Sequence, residues 1–269
     1  MLRVSSPGYY RYRGRALSPT APRRQWLTDA IRQVHLNSRG TYGNRRVHAE
    51  LTKGMGLVVS DRLVWLLMNN AGIRGLPALK GRKSSRGIPT SDDLVNRRFH
   101  RDQPNQLWVT DITEHPTREG KVYCCCVLDA FSRRIVGWSI DSVQNSTLVV
   151  NALDMAINNR RPQPGGVVHA DHGVQFTSWS FAERIRSAGL MPSFGTVGDG
   201  LDNAMMESFW STMQIELLNR KKWLTRTELS NAMFEYIEIF YNRQRRHSGL
   251  DYVSPVEYEL TTPQPIRSA

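Results

Sequence analysis

Three runs rich in β-branched and aromatic residues constrain this chain most: LWVTDIT from Leu107, VYCCCVLDAF from Val122 and RIVGWSI from Arg134. Each reads as a strand, and the turn DAFSRR joins the last two as a hairpin. The period then changes. Leu148, Ala152, Met155 and Ala156 recur at helical spacing over 147–159, and GVVHA, 166–170, reads as a short strand. A helix over 179–187, a strand over 190–194 and a helix over 202–218 follow. Three antiparallel strands and then alternating helix and strand make a mixed five-stranded sheet flanked by helices, an α/β fold. A last helix, 228–242, runs into the basic stretch Arg243, Arg245, Arg246.

The N-terminal part is organised differently. Residues 1–26 are rich in Arg and Tyr, interrupted by Pro7, Pro19 and Pro22, and read as a basic arm. Over 27–75 three short helices are expected, at 28–37, 44–53 and 60–71. Ser60 caps the third, its apolar face is Leu63, Val64, Leu67 and Met68, and Gly72 ends it. This describes a small all-helical, helix-turn-helix-like domain, with Arg45, Arg46, Arg62 and Arg74 as candidate DNA phosphate contacts. The plain alternative is a helical bundle that only docks on its neighbour. His35 and His48 lack a cysteine pair and read as ordinary helix histidines rather than zinc ligands. Residues 76–100 read as a basic linker in which Lys80, Arg82 and Lys83 are candidate DNA contacts, with a merely solvated connector as the plain alternative. A catalytic core over 101–225 and a completing C-terminal helix and tail over 226–269 finish the organisation.

Lys and Arg number 36 against 24 Asp and Glu, a net charge of +12. A positive field of that size points to nucleic acid, with simple solubility as the alternative. The cysteines are contiguous, Cys124–Cys126, which excludes a disulfide framework and a spaced thiolate site and suits a reduced, cytoplasmic protein. No apolar run approaches a membrane span, and the opening MLRVSSPGYYRYRGR lacks the apolar centre of a signal peptide.

Three acids are the candidate catalytic and metal-binding residues. Asp111 lies inside the first strand, where Asp is disfavoured, and Asp171 directly follows the fourth. Glu207 sits on a helix beside the apolar stripe Met206, Phe209, Met213 and Leu217. The topology makes the first strand central, and sites form at strand ends where the order switches. Gathered carboxylates repel one another and are neutralised by divalent cations. Two Mg²⁺ ions about 3.5–4 Å apart stabilise both oxygens of an in-line phosphoryl displacement. The bland readings are a turn residue for Asp171 and an exposed helix acid for Glu207. Asp129, Asp141, Asp199 and Asp202 read as turn and helix-start residues.

The words around these acids carry a resemblance. GYYRYR (8–13), YGNRRVHAEL (42–51), NQLWVTDIT (105–113), VLDAFSRRIVGWSI (127–140), ADHGVQFTS (170–178), DNAMMESFWSTMQIELL (202–218) and YNRQRRHSGLDYVSPVEYE (241–259) span almost the whole chain. With them the sequence resembles bacterial insertion-sequence transposases with a retroviral-integrase-type core. More closely, it is similar to the second-reading-frame product of the insertion-sequence-three family. The resemblance implies a ribonuclease-H-like fold, Mg²⁺ dependence with Mn²⁺ able to substitute, and DNA strand cleavage and joining, with Asp111, Asp171 and Glu207 as the metal-binding acids. It also implies Gln175 near DNA, a homo-oligomer on DNA, and an upstream-frame product as partner or fused segment. The sequence departs from the family at Gln214, where a DNA-touching Lys is usual, and at Glu114 and His115, where aromatic or aliphatic residues are usual. Two rivals stand beside this reading: a nuclease that cuts without joining, and a non-catalytic DNA-binding regulator of transposition.

Overall fold

The computed structural model describes residues 5–13, 20–77, 101–195 and 204–262. The chain divides into two compact units, Met1–Leu76 and Pro77–Ala269.

In the first unit α1 spans Ser6–Arg13, α2 Thr20–Asn37, α3 Asn44–Ala49 and α4 Asp61–Asn70. A π-helical turn, Glu50–Gly54, extends α3. Leu27, Ile31 and Val34 of α2 are buried with Val47 and Leu51 and with Val64, Leu67 and Met68 of α4. The Ser60 hydroxyl accepts from the Leu63 N–H at 3.3 Å and caps α4 as expected. Reading 1–26 as an arm without periodicity requires correction: α1 lies within it and α2 begins at Thr20. Pro22 does not prevent this, because in the first helical turn the missing N–H had no intrahelical partner. The two histidines are bound to backbone: His35 Nδ1 lies 3.1 Å from the Tyr42 carbonyl and His48 Nε2 3.0 Å from that of Val59.

The second unit is a five-stranded sheet in the order β3-β2-β1-β4-β5. Its strands are β1 Leu107–Thr117, β2 Gly120–Asp129, β3 Ile135–Asp141, β4 Val167–Ala170 and β5 Met191–Phe194. The first three are antiparallel, and β4 and β5 add in parallel. Helices α5 (Ser146–Arg160), α6 (Trp179–Ser187), α7 (Ala204–Glu216), α8 (Arg226–Glu235) and α9 (Pro255–Thr261) complete the unit. One core gathers Trp108, Cys125, Val127 and Val136 of the sheet with Leu148, Ala152 and Leu153 of α5 and Phe181 and Ile185 of α6. Helix α5 lies unusually close to β3, because a Cβ on Gly137 would stand 2.2 Å from the Ala152 carbonyl oxygen. Only glycine permits that approach. On the other side α7 packs on β1 and α8 on β2, burying Met206, Phe209, Met213, Tyr236 and Ile237. All three cysteines are free and buried. Among the described residues no helix is long and apolar enough to cross a membrane.

The C-terminal segment is fastened by polar side chains. Asn242 imitates a neighbouring strand: its Oδ1 accepts from the Ile135 N–H and its Nδ2 donates to the Ile135 carbonyl, each at 2.9 Å. Glu259 of α9 accepts from Ser132 and Arg134 at the β2–β3 turn and from Arg160 of α5. The charge-assisted bonds of Arg160 and Arg134, together with Ser132, hold the Glu259 carboxyl below its usual range although burial acts the other way. Asp129, read from sequence as a turn residue, accepts from the Asn105 and Phe131 N–H groups. It is fully buried, and its carboxyl is pushed up to about 6, chiefly by that burial.

Candidate active site

Strand β1 is where the acids meet. Its parallel register with β4 pairs Leu107 with Val167, Trp108 with Val168 and Val109 with His169. The same register carried two residues further sets Asp111, inside β1, beside Asp171, which directly follows the end of β4, on neighbouring strands whose spacing is about 4.8 Å. Side chains alternate across the sheet. Trp108, in the α5 core, therefore faces away from Asp111, which lies on the side covered by α7.

Helix α7 supplies two groups there. Trp210 Nε1 donates to Asp111 Oδ2 at 3.0 Å, and Glu207 lies one helical turn earlier, exposed. The backbone N–H of Ile112 donates to Asp111 Oδ1 at 2.8 Å. Burial raises the Asp111 carboxyl from 3.8 to about 6; the charges of Asp171 and Glu207 raise it too, against the two hydrogen bonds. Asp171 and Glu207 therefore each lie within electrostatic reach of Asp111. Asp171 Oδ1 accepts from the Gly173 N–H at 2.9 Å, which folds the carboxylate over its own turn. A Cβ at position 173 would stand 2.9 Å from that oxygen, so glycine keeps the turn open.

The donors suit a hard divalent cation: carboxylate oxygens only, and one of them disfavoured as a lone anion, chiefly by burial and further by its acidic neighbours. Among the described residues no three His, Cys, Asp or Glu groups already converge into a cage. The cluster is open and anionic.

Sequence reasoning missed Trp210. An aromatic at that position reads as core, yet its spacing of three from Glu207 puts both on one side of α7. Glu114 pairs with Lys121 at 2.7 Å, both exposed, and by alternation faces away from Asp111.

The expected DNA contacts separate clearly. Arg45, Arg62 and Arg74 are exposed, and Arg46 is half-buried over the Tyr42 ring. Lys80, Arg82 and Lys83 lie outside the described residues, as do Asp199, Asp202 and Asn203. Gln175 donates to the Gln144 carbonyl at 3.4 Å, beside the Asp171 turn. Gln214 donates to Asn219. Arg243 is exposed. Two expectations need correction, because Arg245 and Arg246 do not present their charge to solvent. The Arg245 guanidinium grips Glu216 through two bonds of 2.8 Å, and the side chains are 6% and 5% exposed. Arg246 binds Glu257 at 2.8 Å and is 7% exposed. The physical reason is that a buried carboxylate demands a fork of donors, and Arg245 fills that need for α7.

Comparison with known proteins follows the same architecture. Residues 22–81 match an HTH-like domain, and residues 101–199 and 207–262 match integrase core domains, a divalent-metal-dependent family. The chain is 37% identical over 239 residues to the transposase for insertion sequence element IS904 of Lactococcus lactis subsp. lactis (strain IL1403), covering 88% of this chain and 94% of that one. It is 31% identical over 264 residues to transposase InsF for insertion sequence IS3A of Escherichia coli (strain K12), covering 96% and 91%. Among solved structures, an intasome of simian T-cell lymphotropic virus in complex with PP2A regulatory subunit B56 gamma superposes with a TM-score of 0.51 at 13% identity, covering 89% of this chain and 78% of that one. The sheet and its flanking helices are thus an integrase-like ribonuclease H fold.

Proposed function

This chain belongs to the insertion-sequence-three family of transposases, and from that premise we propose that Asp111, Asp171 and Glu207 form the centre at which it cleaves and joins DNA. The observation that supports the reading is the β1–β4 register, which ends at Val109 and His169 and, carried two residues further, pairs Asp111 with Asp171, together with the rise of the Asp111 carboxyl to about 6. A carboxyl held back from ionising by burial and by neighbouring acids is a site prepared for positive charge.

Two Mg²⁺ ions, or Mn²⁺ in their place, would lower the pKa of a water, polarise an attacking 3′-hydroxyl and stabilise the departing 3′-oxygen of an in-line displacement. The chain's own residues orient that chemistry. Trp210 and the Ile112 N–H fix both oxygens of Asp111, and the Gly173 N–H fixes one of Asp171. Glu207 is left exposed to close on the charge from α7.

The division of labour follows. Residues 27–75, with Arg45, Arg46, Arg62 and Arg74, bind DNA. The linker 76–100 contributes Lys80, Arg82 and Lys83, the core is 101–225, and 226–269 complete it. Gln175, Gln214 and Arg243 lie along the DNA path. Binding the terminal repeats and target DNA together requires a homo-oligomer, working with the upstream-frame product in the bacterial cytoplasm at the nucleoid.

The test is a strand-transfer assay on the element's own ends, with and without the upstream product. Asp111→Asn, Asp171→Asn and Glu207→Gln should each abolish Mg²⁺-dependent cleavage and joining, a loss of at least about 10³-fold, while DNA binding persists. Full activity in any one of them removes that residue from the centre.

A further inference from the structure

A groove of about 470 Å³ lies beyond the acids, between the end of β1 and the turn that follows α7. Its walls are joined by the Arg118 N–H donating to the Trp223 carbonyl at 3.2 Å. No Asp or Glu lines it, whereas Arg118, Lys221 and Lys222 do. Lys221 is committed, since its ammonium binds Glu228 and lies 4.5 Å from the Trp223 ring centroid. Arg118 and Lys222 are exposed and form no ion pair among the described residues. The bed is apolar, with Leu218 and Trp223 buried and Pro116 at the edge.

Both elements of the active centre lead to this groove. On β1, Asp111, Thr113, His115 and Thr117 share one face, and His115 lines the groove. Four steps of strand separate Asp111 from His115, about 13 Å. On α7, Gln214 lies two turns beyond Glu207, about 10 Å along the axis. Its amide donates to Asn219, another lining residue.

We propose that the groove is a second DNA-backbone site, in which Arg118 and Lys222 hold phosphates of the substrate strand beyond the reacting phosphodiester. The inference rests on the carboxylates being the reacting centre. Charge complementarity selects the occupant: a phosphodiester strand brings one negative charge per step to a groove whose only uncommitted charges are positive. Pro116 and Leu218 then lie under the sugar edge, so the contact is independent of base sequence.

The experiment uses the full chain and a random-sequence duplex, with affinity measured against salt concentration. Each phosphate contact contributes about 0.9 to the slope of log affinity on log salt, so Arg118→Ala with Lys222→Ala should lower it by about 2. The charge-preserving pair Arg118→Lys with Lys222→Arg should keep it. Neutral methylphosphonates stepped one nucleotide at a time away from the cleaved bond of an element-end duplex should include a position that weakens binding of the wild type but not of the double Ala variant. A folded double Ala variant with the wild-type slope overturns the site. Failure of the carboxylate reading looks different: Asp111→Asn would remain active while the slope change stood.

Discussion

Replacing Arg245 with Met tests whether the basic stretch after α8 holds the protein together or holds DNA. In the wild type Arg245 donates twice to Glu216 at 2.8 Å, and the Tyr236 hydroxyl donates to the same carboxylate at 2.9 Å. Burial alone would lower the guanidinium pKa. The Glu216 bonds and charge more than offset that and hold it above its ordinary value. Arg245→Met leaves the Glu216 carboxylate buried without its two guanidinium bonds, and breaking a buried pair from one side costs about 3–5 kcal/mol. At about 2–4 °C per kcal/mol for a domain of this size, the melting temperature should fall by roughly 6–20 °C. The double change Glu216→Met with Arg245→Met removes both charges and should recover most of that loss. The assay is thermal unfolding of the three variants, paired with the salt dependence of DNA binding below the transition. A latch leaves the slope of log affinity on log salt unchanged. If Arg245→Met melts within about 2 °C of wild type and loses roughly one phosphate contact from the slope, the latch is refuted and the residue is a DNA contact after all.

Two further outcomes concern Asp111. Its carboxyl is raised from 3.8 to about 6 in the folded chain. Between those values the folded state binds more protons than the unfolded one, so this group makes stability fall as pH rises from about 4 to about 6. Asp111→Asn should therefore raise the melting temperature above pH 6, with the gain vanishing below pH 4. Mg²⁺ at about 100 times its dissociation constant should stabilise the wild type by about 2.7 kcal/mol and the variant much less. Equal melting curves for the two proteins at pH 7, with and without Mg²⁺, would contradict this. Trp210→Phe removes the N–H that favours the Asp111 carboxylate, a bond to a charged group worth about 1.5–3 kcal/mol. Strand-transfer activity should drop by about one to two orders of magnitude, and the acid limb of its pH profile should move to higher pH. Lost activity with an unmoved acid limb would reduce Trp210 to packing alone.

What could be read from sequence divides by how far each residue's meaning depends on distant partners. The hairpin β2–β3, helix α6 and the cap at Ser60 follow from local period and turn chemistry, and the structure places them where those rules do. Asp111 stood out because it breaks a local rule: an acid inside a strand needs an explanation that its neighbours cannot give. Arg245 and Arg246 break none, so a basic run read as solvent-facing, although their partners Glu216 and Glu257 lie 29 and 11 residues away. Nothing local distinguishes Arg243, exposed, from Arg245, buried two positions later. Helix α9 was missed for a related reason. It has seven residues and no apolar run, and it persists through the Ser254–Glu257 capping box and the ion pairs of Glu259 with Arg134 and Arg160. Trp210 is the instructive case for function, because an aromatic on an amphipathic helix satisfies every expectation of a core residue. Its indole N–H acquires a role only when β1 brings Asp111 within 3.0 Å. Asp111 is therefore visible as a local violation, whereas the groups that hold it in register obey local rules and become recognisable only once the sheet has formed.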